Sequence, residues 1–417
     1  MKNLVKSKLS ARTLKSVRLG MAILEDRTVL SPANLSSLAS YISTAQTTAP
    51  VDPTDVATTS ATLSAYESAH GQGITLVGSE LYILGDGHDY VGVSGAGASP
   101  NGSTGVTVNS NLGSQTFNTP ITKIHVYLTS GSNSVQISES LKTGVALFIG
   151  GGNDYVYLGG GDAEAWIGGS CNTIQGCNGN DNIAISGDEN SVGLMNGNSR
   201  IWIGGSRNSV ILGTGNHDIT IAGQNSYIQF GDGALNTIHA DGYTTVHGGN
   251  GKIDATFLHG HDGVTGGNGE HRVTVYCPCG NNLVNFGDGP SWINLNGGCN
   301  NVVEGRGDAI VHLGGGNNYV NLGDGHDDVT IDGNCNTVIL GNGDHTVVVG
   351  TNTYLQAGNG NNDIVIGGSS SVILGNGTEN VKFRNKTGSI NNGGGYAVFT
   401  TDGGAWIQHG TGALNLI

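Results

Sequence analysis

The chain has 417 residues, of which 73 are glycine and only 12% are charged, a composition that ordinary globular domains do not show. Its 36% hydrophobic content suffices for a thin continuous core, and no apolar run approaches the roughly 20 residues of a membrane-spanning helix. The formal net charge of -15 disfavours nucleic acid and anionic lipid as partners; it suits divalent cations or uncharged polysaccharide, and serves solubility equally well.

The first segment, residues 1–30, runs against that acidity, with Lys2, Lys6, Lys8, Arg12, Lys15, Arg18 and Arg27. It lacks the uninterrupted apolar stretch of an ordinary secretory signal and reads as an address, with an amphipathic basic helix as the alternative. Within it, Leu24, Glu25, Asp26, Arg27, Thr28 and Val29 resemble the N-terminal L-E-D-R motif of many exported planctomycete proteins. Leu30 stands where the usual proline would be. That resemblance implies an extracellular or cell-surface destination. Residues 31–70 hold no Lys or Arg and are rich in Ser, Thr and Ala. They read as a linker or an N-terminal cap, in which Ser31 can cap a helix with Pro32 at its first position.

Residues 71–149 read as early, degenerate coils, beginning with the turn Gly85 to Asp89 (GDGHD). Over 150–383, G-x-G turns and short Val/Ile/Leu segments replace one another about every nine residues, which is the mark of a solenoid. Two strands and two unlike corners make a coil of about 18 residues, so the expected fold is all-β, a parallel β-solenoid. Val329 with Ile331, and Val347 with Val349, alternate onto one face that only stacked neighbours can bury. Residues 384–417 keep the glycine spacing and lose the other signals; they read as C-terminal coils and a cap.

One corner repeats asparagine, at Asn172, Asn190, Asn208, Asn225, Asn300, Asn318, Asn336 and Asn352, with Asp154 before and Ser370 after. Side-chain amides stacked at identical positions are expected to hydrogen-bond up the rod, as asparagine ladders do in cross-β assemblies. The alternative is a regular array facing a flat or polymeric ligand. The other corner, after G-x-G-x, is mixed: Ala163, Asp181, Ser199, His217, Leu235, Ile253, His271, Ser291, Ala309, Asp327, His345, Asn362 and Glu379. Its histidines are expected to be exposed turn residues. Between Leu235 and Cys279 the rhythm is disturbed and Asp241, His247, His259, His261 and Asp262 gather, which suggests an insertion on a binding face. Cys171, Cys299 and Cys335 stand at corner positions beside Asn-edge strands, and Cys277-Pro278-Cys279 lacks the partner pair of a zinc site.

The mixed edge resembles the calcium-binding nonapeptide repeats of the RTX (haemolysin-type) family, whose motif is G-G-x-G-x-D-x-U-x; the shared rhythm spans about three quarters of the chain. The resemblance implies Ca²⁺ held by turn carbonyls and stacked carboxylates. Carried over residue by residue, it places metal ligands at Gly85, Gly87, Asp89, Gly152, Asp154, Gly179, Asp181, Gly323, Gly325 and Asp327. No two mixed-edge Asp residues are stacked neighbours, so binding is expected in the weak, ~10⁻⁴ to 10⁻³ M range of extracellular modules.

No G-x-S-x-G, H-E-x-x-H or phosphate loop is present. The leading expectation is a non-enzymatic secreted or cell-surface rod with a structural or adhesive role. Extracellular polysaccharide or cell-envelope components are its candidate partners, and open strand edges at the ends allow self-association. The alternative is a carbohydrate-binding or carbohydrate-cleaving β-helix using the Asp241–Asp262 cluster.

Overall fold

A computed structural model describes residues 72–98, 104–384, 388–394, 396–401, 406–409 and 414–416; the basic segment and the linker, residues 1–70, lie outside them. Among the described residues there is no helix. The chain winds as the expected parallel β-solenoid, with strands alternating between two sheets of 19 strands each. Like pairs with like along the stack. Ile183, Ile201, Ile219 and Ile238 form one inner row of the first sheet, and Val302, Val320 and Val338 one inner row of the second. The step is 18 residues in most coils and 17 from Thr337 to Tyr354.

The inner rows of both sheets merge into one apolar cluster that runs from Leu81 to Phe399. Each buried Val, Ile or Leu contributes roughly 1.5–3 kcal/mol, but a single coil has only a few of them, and they stay open to solvent above and below until its neighbours stack. Outward positions alternate with these and are mostly polar, as in Thr237, His239 and Asp241 of the strand Leu235–Gly242. The first coils depart from this. On the outer side of the first sheet, Tyr82, Leu84, Tyr127, Phe148 and Trp166 form a second buried cluster, where the His125 ring stacks on Tyr82 at 4.4 Å.

The early coils are less degenerate than the sequence implies, because their irregularity is an addition and not a loss. The strand Tyr90–Ala98 occupies its proper place beneath Ser134–Ile137. An antiparallel hairpin, Thr104–Ser110 and Gly113–Phe117, then extends the second sheet beyond it. At the same end, Gly73–Val77 pairs antiparallel with Glu80–Gly85 and covers the first sheet's edge.

Glycine in the G-x-G turns answers to stacking distance. A Cβ on Gly343 would lie 1.7 Å from the Gly325 carbonyl oxygen, and one on Gly325 would lie 2.4 Å from that of Gly307. At this corner, backbone rests on backbone, and no other residue fits.

Candidate functional site

The asparagine corner has a stereotyped local structure. One residue per coil adopts a left-handed conformation, as Cys171 (φ 61), Glu189 (φ 59), Arg207 (φ 59), Cys299 (φ 59) and Cys335 (φ 61) do, and the next residue turns inward and is buried. That left-handed residue interrupts the strand, which leaves the following N–H in need of an acceptor. The side chain one coil further along supplies it. The N–H of Asn172 donates to Asn190 Oδ1 (3.0 Å), that of Asn190 to Asn208 (2.8 Å), that of Asn300 to Asn318 (2.9 Å) and that of Asn318 to Asn336 (3.0 Å). Each amide then uses Nδ2 on its own turn: Asn172 donates to the carbonyls of Gly168 (2.9 Å) and Gly169 (3.1 Å). The ladder expected from sequence is present, and it is inside the corner, where these side chains are 1–2% exposed. An amide buried in this way presents no array to an external ligand.

Three column assignments are corrected. Asn225 and Asn352 are the left-handed residues of their coils (φ 58 and 54), and the ladder positions are Ser226 and Thr353. Ser226 Oγ accepts from the Asn208 N–H at 3.3 Å, and the Thr353 N–H donates to Ser370 Oγ at 3.0 Å. On the mixed side an extra residue after Gly233 shifts the frame by one, so that Asn236, not Leu235, lies between His217 and Ile253. The histidines are corrected as well. His217, His271 and His345 are 1–2% exposed, each with Nε2 on the carbonyl four residues earlier (Gly213 3.2 Å, Gly267 2.9 Å, Gly341 3.1 Å). They cap the G-x-G turn from within.

The ten residues carried over from the calcium repeat are spread over both corners. Asp89 and Asp154 are rungs of the asparagine ladder, separated by Asn133, whose N–H donates to Asp154 Oδ1 at 2.7 Å while Asn133 Oδ1 accepts from the Asp89 N–H at 3.1 Å. The oxygens of Asp89 take N–H donors from Gly87 (3.1 Å) and the Asn111 amide (2.8 Å). Asp181 accepts from the Ala163 N–H at 3.1 Å in the mixed column. Asp327 accepts from the Ala309 N–H at 3.2 Å and turns its other oxygen to His345 Nδ1 at 3.1 Å. Gly85 makes room for Asp89; Gly87, Gly152, Gly179, Gly323 and Gly325 lie against carbonyls of neighbouring coils. The four carboxylates do not converge, and among the described residues no group of three or more His, Cys, Asp or Glu side chains is placed to hold a metal ion.

Burial sets the electrostatics of these columns. It pushes the carboxyl of Asp154 up to about 6, against the hydrogen bonds from Asn133, and those of Asp181 and Asp262 to about 7 against their single backbone donors. Burial likewise lifts Glu379 to about 7. Glu304, which stands where other coils have Leu322 or Leu340, is lifted to about 7 by burial despite the hydroxyl of Ser291. His217 and His271 are lowered by burial. His345 is raised: burial acts against it, but the hydrogen bond and charge of Asp327, with the Gly341 carbonyl and Asp344, outweigh it. The Asp327–His345 pair has the composition of a catalytic dyad, yet its side chains are 1% and 0% exposed, beyond the reach of a substrate.

The disturbed section does not form an inserted loop; it continues both sheets through Leu235–Gly242, Thr245–His247, Lys252–Phe257, Gly263–Thr265 and His271–Val275. Asp262 there is a ladder rung that accepts from the Thr244 N–H at 2.9 Å. His259 Nδ1 lies 2.7 Å from Asp241 Oδ1 on the surface, His261 stacks on Tyr243 at 4.6 Å, and His247 bonds Thr265. Cys277 and Cys279 are joined as a disulfide, and Cys171, Cys299 and Cys335 are exposed thiols.

A second surface feature was not read from the sequence. Where the hairpin Thr104–Phe117 extends the second sheet, it borders an open trough of about 480 Å³ lined by Tyr90, Tyr155, Tyr157, Gln136, Asn109 and Ser94, among others. The signal that could have found it is the outward Tyr155-x-Tyr157 pair two coils above Tyr90. No protein-family model, no curated protein and no solved structure matches this chain.

Proposed function

We propose that the chain is a secreted or cell-surface repeat protein with a structural or adhesive role, a rod that carries its own rigidity. The observation that supports this best is the internal ladder recurring between Asp89 and Ser370, in which a side chain of one coil accepts from the backbone of its neighbour in most coils. The L-E-D-R stretch supports the destination. Antibody labelling of intact against broken cells tests it: surface labelling of intact cells is expected, and labelling only after breakage refutes it.

A second reading, weak Ca²⁺ binding of the haemolysin-repeat kind, has one specific support. Asp154 Oδ2 is buried without a hydrogen-bond partner, and a hard cation takes such an oxygen. One carboxylate oxygen falls far short of the six to eight that Ca²⁺ collects. Isothermal titration with CaCl₂ tests this: heat that Asp154→Asn removes supports it, and no heat at millimolar calcium ends it.

A further inference from the structure

We propose that the tyrosine trough on the second sheet is a binding subsite for an uncharged polysaccharide strand. Two outward rows form its floor. Tyr90 pairs with Ser134 and Ser134 with Tyr155, while Gly92 pairs with Gln136 and Gln136 with Tyr157. The hairpin forms one wall, with Asn109 paired to Gly92.

Three features give this surface the chemistry of a neutral sugar site. Its rings are exposed: Tyr90 and Tyr155 are 43% and 38% exposed. A Cβ on Gly92 would come within 2.8 Å of Tyr90 Oη, so that ring lies over the glycine. Tyr155 Oη donates to Gln175 at 3.1 Å and Tyr157 Oη lies 2.7 Å from Cys177 Sγ, which fixes both rings before any ligand arrives and lowers the ordering cost of binding. Secondly, amides and hydroxyls, those of Gln136, Asn109 and Ser94, interleave with the rings. They are the donors and acceptors that sugar hydroxyls need, beside aromatic faces that take the C–H side of a pyranose. Thirdly, in a chain of net charge -15, no charged residue lines the trough. An anionic glycan meets no cation there, and a cationic one meets no carboxylate.

Spacing selects an extended ligand. Tyr90 and Tyr155 are two strand steps apart, about 10 Å at the usual spacing, with the small Ser134 between them; that matches a β-linked disaccharide lying along the rod axis. This deepens the adhesive role by naming its ligand, and the two fail separately: a surface rod that binds no glycan keeps its location, and a glycan binder found inside the cell keeps its trough.

The test is affinity electrophoresis and isothermal titration of the full chain against neutral cello-, xylo- and manno-oligosaccharides, with polygalacturonate as the charged control. Binding to at least one neutral series is expected, weakened about tenfold or more by Tyr90→Ala or Tyr155→Ala. Tyr319→Ala, at an equivalent exposed position far along the rod, should leave affinity unchanged while reporting the same folding cost. No binding across the neutral panel, a preference for polygalacturonate, or equal losses from Tyr319→Ala and Tyr90→Ala would each overturn the proposal.

Discussion

Asp154→Asn isolates what the ladder requires of its rungs. Asp154 is 2% exposed and accepts from the Asn133 N–H and Nδ2 through Oδ1 at 2.7 and 3.0 Å, as an asparagine would. Its Oδ2 has no partner, where Asn172 has an Nδ2 donating to glycine carbonyls. A protonated carboxyl mimics asparagine at that position; an ionised one cannot. Burial raises this pKa from the ordinary 3.8 to about 6. At about 1.36 kcal/mol per pKa unit, the difference between the two protonation limits is roughly 3 kcal/mol. Since the folded pKa lies above the unfolded one, this contribution is whole below about 3.8 and is lost as pH rises through about 6. Asp154→Asn should therefore stabilise the rod by about 1–3 kcal/mol at pH 8 and by almost nothing at pH 3.5, read from urea unfolding followed by tryptophan fluorescence. A destabilised variant at pH 8, or a gain that does not change with pH, would refute the role assigned to this rung.

The other expectations concern the remaining corner positions. Gly343→Ala, which must move the Gly325 carbonyl, should cost more than ~2 kcal/mol; Gly193→Ala, with open space around it, should change thermal stability little, and equal effects would remove the close-stacking explanation. Cys335→Gly relieves a left-handed non-glycine residue (φ 61) and should stabilise by about 0.5–1 kcal/mol after the entropic cost of glycine, measured by thermal unfolding in reductant. Across the whole rod, the raised carboxyls of Asp154, Asp181, Asp262, Glu304 and Glu379 make stability fall as pH climbs from about 4 to 7. His125, lowered by burial to about 4, with His217 and His271, acts in the opposite sense. Five raised carboxyls stand against three lowered histidines, so the melting temperature should be higher near pH 5 than at pH 8.

What could be read from the sequence follows from what repeats. The period, the inner Val/Ile rows and the asparagine column recur often enough to define one another, and Asn172, Asn190, Asn318 and Asn336 lie where the pattern places them. Errors fell where two asparagines or an extra residue made the frame ambiguous. Asn225 and Asn352 satisfy the N-x-[VIY] pattern, yet a left-handed position accepts asparagine as readily as a ladder position does. The side chains at the mixed corner looked like turn residues because they are polar. They are buried because each coil's G-x-G loop folds over them, and a linear pattern does not show that closure. The trough escaped notice because its walls come from a hairpin and from strands two coils apart.

The most direct measurement is the melting temperature of the full chain at pH 7.5, first in millimolar calcium chloride and then in excess chelator. If internal side-chain ladders hold the rod, the two curves coincide, since a ligand stabilises only by binding the folded state. A clear fall on chelation, with the calcium-induced gain absent from Asp154→Asn and Asp327→Asn, would show that bound calcium, not the ladder, holds the coils together.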